Sequence, residues 1–285
     1  MKRKPDWLKI KIQGDKTNDE VEKLIKKMHL HTVCHEANCP NKMECYERGT
    51  ATFMIMGSIC TRNCKFCNVT TKKPLALDPK EPEHIAEAVK HLGLRHAVIT
   101  SPDRDDLPDE GAWHFKKVSE AIKALNPMTT VELLIPDFHA KHELLDVVFS
   151  SKPEVLNHNM EVVEALHKDI CPQSDFENSI EVLRYAKEKG FVTKTGLMLG
   201  LGETKEQVID LLKKLRKIDV DMITIGQYLQ PSLKHIEVSE YVHPEVFESI
   251  GKTAKEMGFK RVDSSPFVRS SYHADTLNED EKEMC

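Results

Sequence analysis

The sequence predicts an α/β fold whose strands lie parallel in one sheet. Two observations support it: strand-like apolar runs recur along residues 53–226, and a helix-like stretch separates each run from the next. The predicted strands are 53–57, 96–100, 130–135, 154–158, 191–199 and 221–226, and the predicted helices are 84–92, 113–124, 140–150, 177–189 and 204–217. Such alternation gives right-handed crossovers, and hence either an open doubly wound sheet or a barrel.

Length and composition predict one large domain without a membrane segment. The chain has 285 residues, of which 40% are hydrophobic and 31% charged, as is usual for a globular protein. A net charge of -5 favours neither nucleic acid nor an anionic membrane as partner. The basic start, MKRKPDWLKIKIQ, is not followed by an apolar run of signal or membrane length. We therefore expect a cytoplasmic protein whose eight cysteines serve metal binding or chemistry rather than disulfides.

The segment before the first strand predicts a helix and then a metal-binding loop. Apolar residues recur at helical spacing at Val21, Leu24, Ile25 and Met28, so an amphipathic helix is expected to cover the main domain. Three cysteines follow at gaps of four and five residues: Cys34, Cys39 and Cys45. These gaps do not match a zinc ribbon, and a disulfide framework would leave one thiol unpaired. A metal cluster is the better explanation, while His35 is more often a solvated histidine than a ligand.

A second group of cysteines follows the first predicted strand. The apolar run FMIM ends at Gly57, and the next loop carries Cys60, Cys64 and Cys67 with the spacing C-x3-C-x2-C. Three thiolates can hold three corners of a cubane iron-sulfur cluster and leave one iron open to a small molecule. A structural zinc site, which needs four ligands, and a redox dithiol are the weaker alternatives.

Both cysteine groups resemble those of known enzymes. The second triplet, with an aromatic residue at Phe66, resembles the signature of the radical S-adenosylmethionine (SAM) superfamily. The first triplet, the sequence ERGTATFMIMG and the second triplet, in that order, resemble the lipoyl synthase family. This resemblance implies a partial TIM-type (β/α)6 barrel with N-terminal and C-terminal extensions covering its mouth. The implied division is 1–50, 51–230 and 231–285.

The resemblance also implies the cofactors. Cys60, Cys64 and Cys67 would hold a 4Fe-4S cluster whose open iron binds SAM and cleaves it reductively to a deoxyadenosyl radical. Cys34, Cys39 and Cys45 would hold an auxiliary 4Fe-4S cluster that supplies sulfur. A serine of the segment RSSY would complete the auxiliary cluster, with Ser271 favoured and Ser270 as the alternative. No catalytic residue is assigned beyond the clusters.

Polar residues at the carboxyl ends of the strands are the other site candidates, since ligands bind at that edge of a parallel sheet. The acidic loop after the second strand predicts mostly solvated or helix-capping aspartates, whereas Arg104 resembles a family motif. Amides and an imidazole near the fourth strand predict either cofactor binding or capping. The motif G-x-M-x-G-x-x-E resembles one that flanks the adenine of SAM. The candidate cofactor-binding residues are thus Phe66, Ser101, Arg104, Asn157, Glu161, Gly196, Met198, Gly200 and Glu203.

The implied reaction is insertion of sulfur at C6 and C8 of an octanoyl chain held on a lysine. The implied partners are an octanoylated lipoyl carrier domain or glycine-cleavage carrier protein, and an electron donor such as flavodoxin or ferredoxin. Two alternatives stay open: another radical SAM enzyme with a second cluster, or a non-catalytic cluster- or zinc-binding protein. Cys171, where the family usually carries Arg, and Cys285 are expected to be free thiols.

Overall fold

A computed structural model describes residues 3–9, 23–25, 27, 28, 30–36, 41 and 52–271. Within these ranges the strands are β1 (His31–Thr32), β2 (Thr52–Met54), β3 (Ile59–Cys60), β4 (Thr70–Thr71), β5 (His96–Thr100), β6 (Thr130–Leu134), β7 (Val155–Asn157), β8 (Val192–Leu199), β9 (Met222–Gln227) and β10 (Arg261–Ser264). Eight of them form one sheet in the order β1-β2-β5-β6-β7-β8-β9-β10, and β3 pairs with β4. All neighbours are parallel except β1 and β2.

Helices connect the parallel strands. They are α1 (Val33–Glu36), α2 (Glu81–His91), α3 (Ala112–Leu125), α4 (His142–Phe149), α5 (Glu164–Ile170), α6 (Phe176–Glu188), α7 (Lys205–Lys217) and α8 (Pro244–Glu256). Short 3-10 turns occupy Asp6–Leu8 and Phe138–Ala140. The six predicted strands and five predicted helices are confirmed, with boundaries shifted by at most three residues at either end.

The further elements in the described part of the chain were not predicted, among them β1, α5, α8 and β10. For α8 a signal was present, because Pro244 opens the helix and Phe247, Ile250 and Ala254 recur at helical spacing and are buried. Strand β1 has only two residues, too few for an alternating pattern to be recognised. Strand β10 continues the parallel sheet beyond residue 230, next to β9. The division into 1–50, 51–230 and 231–285 stays a prediction.

Local sequence explains why these segments form. In β5 all five residues are buried, as expected of a parallel strand covered on both faces. Helix α7 begins with a capping box between Thr204 and Gln207, in which each side chain bonds the other residue's backbone N–H. Its buried residues follow helical spacing: Val208, Leu211, Leu212 and Leu215. This apolar face packs against β8 and β9 in one of the hydrophobic cores.

A buried charge network links three neighbouring strands. The Lys194 ammonium on β8 lies 3.1 Å from both carboxylate oxygens of Glu132 on β6, and the Asn157 amide on β7 donates to Glu132 Oε1 at 2.7 Å. Burial alone would raise the pKa of Glu132, but the Lys194 charge and hydrogen bonds from His96 and Asn157 hold it at about 2. The Glu132 carboxylate therefore stays ionised although it is fully buried.

The segment after β10 covers the carboxyl ends of the strands. The Gln227 backbone N–H donates to Pro266 O at 3.2 Å, and the Asn41 side chain donates to Phe267 O at 2.7 Å. A Cβ at Gly226 would lie 2.1 Å from Val268 O, so only glycine allows this close approach. The partial barrel with a C-terminal extension over its mouth is thereby confirmed. No helix in the described part of the chain is long and apolar enough to cross a membrane.

Candidate functional site

The loop that carries the second cysteine triplet is closed by a short parallel ladder. Strand β3 ends at Cys60 and pairs with β4, so the chain returns beside its own start. Within the loop the Cys67 backbone N–H donates to Cys64 O at 3.1 Å, and Thr71 Oγ1 donates to Arg62 O at 3.0 Å. These bonds hold three sulfur-bearing residues in one compact turn.

All three thiols line one cavity at the carboxyl ends of the strands. Its volume is about 890 Å³, counting the open solvent at its mouth. Phe66 and Ser101, two of the candidate cofactor-binding residues, also line it. The other polar lining residues include Arg62, Asp103, Asp137, His158, Asn159, Glu161, His167, Cys171 and Ser174.

The thiols are protonated when no metal is bound. Burial raises the pKa of Cys60 and of Cys67 to about 12. A hydrogen bond with Cys171 and then burial raise the pKa of Cys64. Metal ligation requires thiolates, so loading a metal here must release protons. Three soft thiols that face one cavity fit an iron-sulfur cluster better than a hard cation, which prefers oxygen ligands.

Three buried polar atoms at the cavity wall have no hydrogen-bond partner in the structure: Ser101 Oγ, His158 Nε2 and Asn159 Oδ1. His158 Nδ1 lies 2.8 Å from the Ile135 carbonyl oxygen and must donate to it, which leaves Nε2 as an acceptor in the neutral ring. Burial lowers the pKa of His158 and favours that neutral form. Two acceptors and a hydroxyl of residues that line the cavity thus lack partners among the described residues, and they fit a ligand that carries N–H or O–H donors.

Glu161 is one of the acidic residues that line the cavity. Burial raises its pKa to about 7, while the Asn159 amide donates to its Oε1 at 3.0 Å. Its backbone φ of 63° lies in the left-handed region, an uncommon conformation for glutamate that is often found at functional sites. The conformation is held from β8, because Glu161 N–H donates to Gly196 O at 3.0 Å and Met198 N–H donates to Glu161 O at 2.8 Å.

A buried arginine, Arg62, which was not predicted from the sequence, connects the cysteine loop to neighbouring acidic residues. Arg62 donates two hydrogen bonds of 2.8 Å to the Asp105 carboxylate and one of 2.8 Å to Asp137 Oδ1. Its Nη1 lies 3.4 Å from Asp103 Oδ1. Burial raises the pKa of Asp103 to about 6, and hydrogen bonds from Arg62 hold the pKa of Asp137 below its ordinary value.

The acidic loop is therefore only partly the solvated loop that the sequence predicts. Asp103 lines the cavity, and Asp105 pairs with the buried Arg62 guanidinium. The signal in the sequence was weak: an arginine two residues after Cys60 and a group of aspartates in the loop after the next strand. The pairing of Arg62 with these aspartates could not be predicted from sequence spacing, because the partners lie in loops that follow different strands.

Several predicted cofactor-binding residues lie behind the cavity wall instead of on it. Arg104 is buried and bonds both Asp106 carboxylate oxygens, Met56 O and Leu75 O. Asn157 bonds the buried Glu132, as described above. Four further candidates are also absent from the lining: Gly196, Met198, Gly200 and Glu203.

One of these, Glu203, has a structural role. Its carboxylate accepts the backbone N–H groups of Gly200, at 2.6 Å, and Leu201, at 2.9 Å, and so holds the turn after β8. Direct contact of these residues with a cofactor stays a prediction.

The predicted auxiliary site is described only at its C-terminal side. Cys39 and Cys45 lie outside the described residues, and for Cys34 only the backbone, in α1, is described. The Ser270 hydroxyl lies 3.1 Å from the Asn159 amide, which donates to it. Ser271 is half-buried beside it. The assignment of these residues as ligands stays a prediction.

Known proteins resemble this chain over almost its whole length. Residues 54–215 match the family model of the Radical SAM superfamily. The chain is 51% identical over 273 residues to a lipoyl synthase of Parabacteroides distasonis, covering 96% of this chain and 97% of that protein. It is 53% identical over 275 residues to a lipoyl synthase of Caldanaerobacter subterraneus subsp. tengcongensis, covering 96% of both.

Solved structures resemble the fold at lower sequence identity. Methylornithine synthase superposes with a TM-score of 0.59 at 16% identity, over 86% of this chain and 78% of that one. Streptococcus suis SuiB bound to S-adenosylmethionine gives a TM-score of 0.60 at 13% identity, over 78% of this chain and 53% of that one. At these identities the likeness supports the partial-barrel fold alone.

Proposed function

Because the chain belongs to the lipoyl synthase family of the radical SAM superfamily, we propose that it inserts two sulfur atoms into a protein-bound octanoyl group, at C6 and C8. A 4Fe-4S cluster and SAM belong to the chemistry of this family. The observation that carries the proposal is the cavity lined by three free thiols and by residues with three unpartnered polar atoms, at the carboxyl ends of parallel strands.

Cys60, Cys64 and Cys67 are the proposed ligands of the SAM-cleaving cluster. When bound, the cluster and SAM together supply a radical able to abstract hydrogen from an unactivated carbon. Arg62 holds the ligand loop through Asp105 and Asp137, so the thiols are preorganised before the metal arrives.

The remaining wall of the cavity is the proposed SAM site. His158 Nε2 and Asn159 Oδ1 can accept hydrogen bonds from amino or hydroxyl groups of the ligand, and Ser101 can donate or accept. Phe66 offers an apolar face beside the cluster ligands and packs with Met198 in the same apolar cluster. Glu161, anchored by Asn159, adds an acceptor that is charged only above its raised pKa of about 7.

A second 4Fe-4S cluster on Cys34, Cys39, Cys45 and Ser271 is the proposed sulfur donor, with Ser270 as the alternative fourth ligand. Support comes from the C-terminal segment, which reaches the cavity wall at Asn159. The N-terminal part is tied to the same segment, because Asn41, within the first cysteine group, donates to Phe267 O. Asn41 and the segment 266–270 thus approach the mouth of the cavity, where we propose that the substrate carbon lies between the two clusters.

The proposed partners follow from this chemistry. The substrate is an octanoylated lipoyl carrier domain or glycine-cleavage carrier protein, and a flavodoxin or ferredoxin supplies electrons. We also propose a cytoplasmic location, because thiolates that hold iron-sulfur clusters require a reducing compartment. The three-part division at residues 50 and 230 is retained as a proposal.

Anaerobic turnover tests the proposed function. The full chain is reconstituted with iron and sulfide, reduced, and incubated with SAM and an octanoyl-lysine carrier peptide. Mass spectrometry of the peptide is expected to show insertion of two sulfur atoms, with formation of 5′-deoxyadenosine. Cleavage of SAM without any sulfur in the peptide would contradict sulfur insertion and leave a different radical SAM reaction.

A further inference from the structure

A fourth cysteine lies in the cavity beside the triplet. Cys171 follows directly after helix α5, and only 2% of its surface is exposed. It lines the same cavity as Cys60, Cys64 and Cys67. It also belongs to an apolar cluster against which Cys64 and Phe66 pack. The thiol is therefore inside the metal pocket and not on the protein surface.

The backbone fixes this thiol next to the cluster loop. Lys65 N–H donates to Ile170 O at 2.9 Å, so the residues directly adjacent to Cys64 and Cys171 are bonded to each other. Cys171 N–H donates to His167 O at 2.7 Å, and Ser174 N–H donates to Cys171 O at 3.0 Å. Cys64 packs against the apolar cluster that contains Cys171, both residues line the same cavity, and neither forms a disulfide. Loop and helix end thus hold a fourth sulfur beside the other three.

Four cysteine thiolates are the common ligand set of a 4Fe-4S cluster, and a triplet alone leaves one iron without a protein ligand. We propose that Cys171 supplies a fourth thiolate to the cluster on Cys60, Cys64 and Cys67 when SAM is absent, and that SAM displaces it. The inference rests on the proposed function for the position of that cluster. On binding, the Cys171 thiol loses its proton to solvent; on displacement by SAM, the thiolate takes a proton back. No electron is transferred in either step.

Two consequences follow for the resting protein. A cluster with four cysteine ligands retains all four irons on mild oxidation, whereas a cluster with three loses the iron that has no protein ligand and becomes a three-iron cluster. SAM must also compete with the thiolate, so its apparent affinity falls by the fraction of clusters that are free to bind it. If about one cluster in ten is free, removal of Cys171 tightens SAM binding roughly tenfold.

The test uses the full chain with Cys34, Cys39 and Cys45 changed to alanine, so that a single cluster is observed. This protein and its Cys171→Ala and Cys171→Val variants are reconstituted anaerobically and treated with ferricyanide. The Val side chain fills the apolar site that Ala would leave partly empty. An effect seen in both variants is therefore due to loss of the thiol and not to loss of packing. The control is Cys285→Ala, because Cys285 is the other cysteine that belongs to neither triplet. The readouts are the electron paramagnetic resonance signal of three-iron clusters and the equilibrium binding of SAM.

We expect both Cys171 variants to form three-iron clusters and to bind SAM about tenfold more tightly, while Cys285→Ala matches the parent. Equal oxidation and equal SAM affinity in all four proteins would overturn the role of Cys171 and leave the cluster assignment intact. Failure of the parent to bind iron at all would overturn the assignment of the cluster to Cys60, Cys64 and Cys67, and this inference with it.

Discussion

Arg62 and Asp137 join the cysteine loop to the end of β6 through a hydrogen bond of 2.8 Å between Arg62 Nη2 and Asp137 Oδ1. Both side chains are buried, with 2% and 3% of their surface exposed. A charged pair removed from water in this way depends on each partner, because either one left alone is an unpaired buried charge. The pair therefore sets the position of the loop that carries Cys60.

Arg62→Met is expected to lower the free energy of unfolding by about 3–5 kcal/mol and to reduce the iron bound by the reconstituted chain. The reason is that Asp137 loses its cationic partner and Asp105 loses two hydrogen bonds. Urea denaturation and iron analysis measure the two effects. Arg184→Met is the matched control, since Arg184 pairs with Glu181 and Glu188 at the surface and should cost less than about 1 kcal/mol.

Arg104→Gln separates a structural role from a cofactor contact. Arg104 bonds the backbone carbonyls of Met56 and Leu75 and is nearly completely buried, so its removal should cost about 2 kcal/mol or more of stability. SAM affinity of the cluster-loaded variant is expected to equal that of the parent. Weaker SAM binding at unchanged stability would instead favour the direct contact predicted from sequence.

Glu132 makes the stability of the folded chain depend on pH under acidic conditions. Its folded-state pKa of about 2 lies below the ordinary value of 4.5, so the folded state binds its proton less readily than the unfolded state. Its contribution is complete above about pH 4.5 and is lost as the pH falls toward 2. The urea midpoint of the metal-free chain, measured between these limits, should fall with pH for this reason.

Glu132→Gln should remove that contribution and cost about 3–5 kcal/mol near neutral pH, because Lys194 is left as an unpaired buried charge. The exposed Glu120, which lies 3.8 Å from Lys116, gives the control variant Glu120→Gln, with an effect below about 1 kcal/mol. A Glu132→Gln chain as stable as the control would show that the network contributes nothing to folding.

Gly226→Ala tests whether the C-terminal segment is needed for sulfur insertion. The added Cβ would lie 2.1 Å from Val268 O and must push this segment off β9. We expect formation of 5′-deoxyadenosine to persist while the carrier peptide gains little or no sulfur. The exposed α8 residue Val246 provides the control Val246→Ala, which should keep both activities. Parallel loss of both products in Gly226→Ala would place the segment in SAM binding as well.

Ser270→Ala and Ser271→Ala distinguish the two candidate ligands of the auxiliary cluster. Ser270 already accepts a hydrogen bond from Asn159, so Ser271 is the hydroxyl we expect to reach the iron. In a chain with Cys60, Cys64 and Cys67 changed to alanine, Ser271→Ala should lower bound iron and Ser270→Ala should not. The opposite pattern would assign the ligand to Ser270.

The order of strands and helices followed from the sequence because it depends on local properties. Buried parallel strands appear as apolar runs, and the helices that cover them repeat apolar residues at a period of 3.6. The signal failed for β1, which is only two residues long. Helix α8 does carry the signal, in its buried residues Phe247, Ile250 and Ala254, but it lies beyond the stretch in which strands and helices alternate regularly.

The sequence by itself also determined that two cysteine triplets exist and that the second follows a buried strand, since both are properties of spacing along the chain. Only the tertiary structure decided that Arg62 pairs with Asp137, that Arg104 lies behind the cavity wall, and that Cys171 joins the triplet. Buried charges and thiols interact with the groups that lie near them in space, and the sheet brings together loops that are far apart in sequence. Pairing of this kind has no period and therefore leaves no pattern in the chain that local reasoning could read.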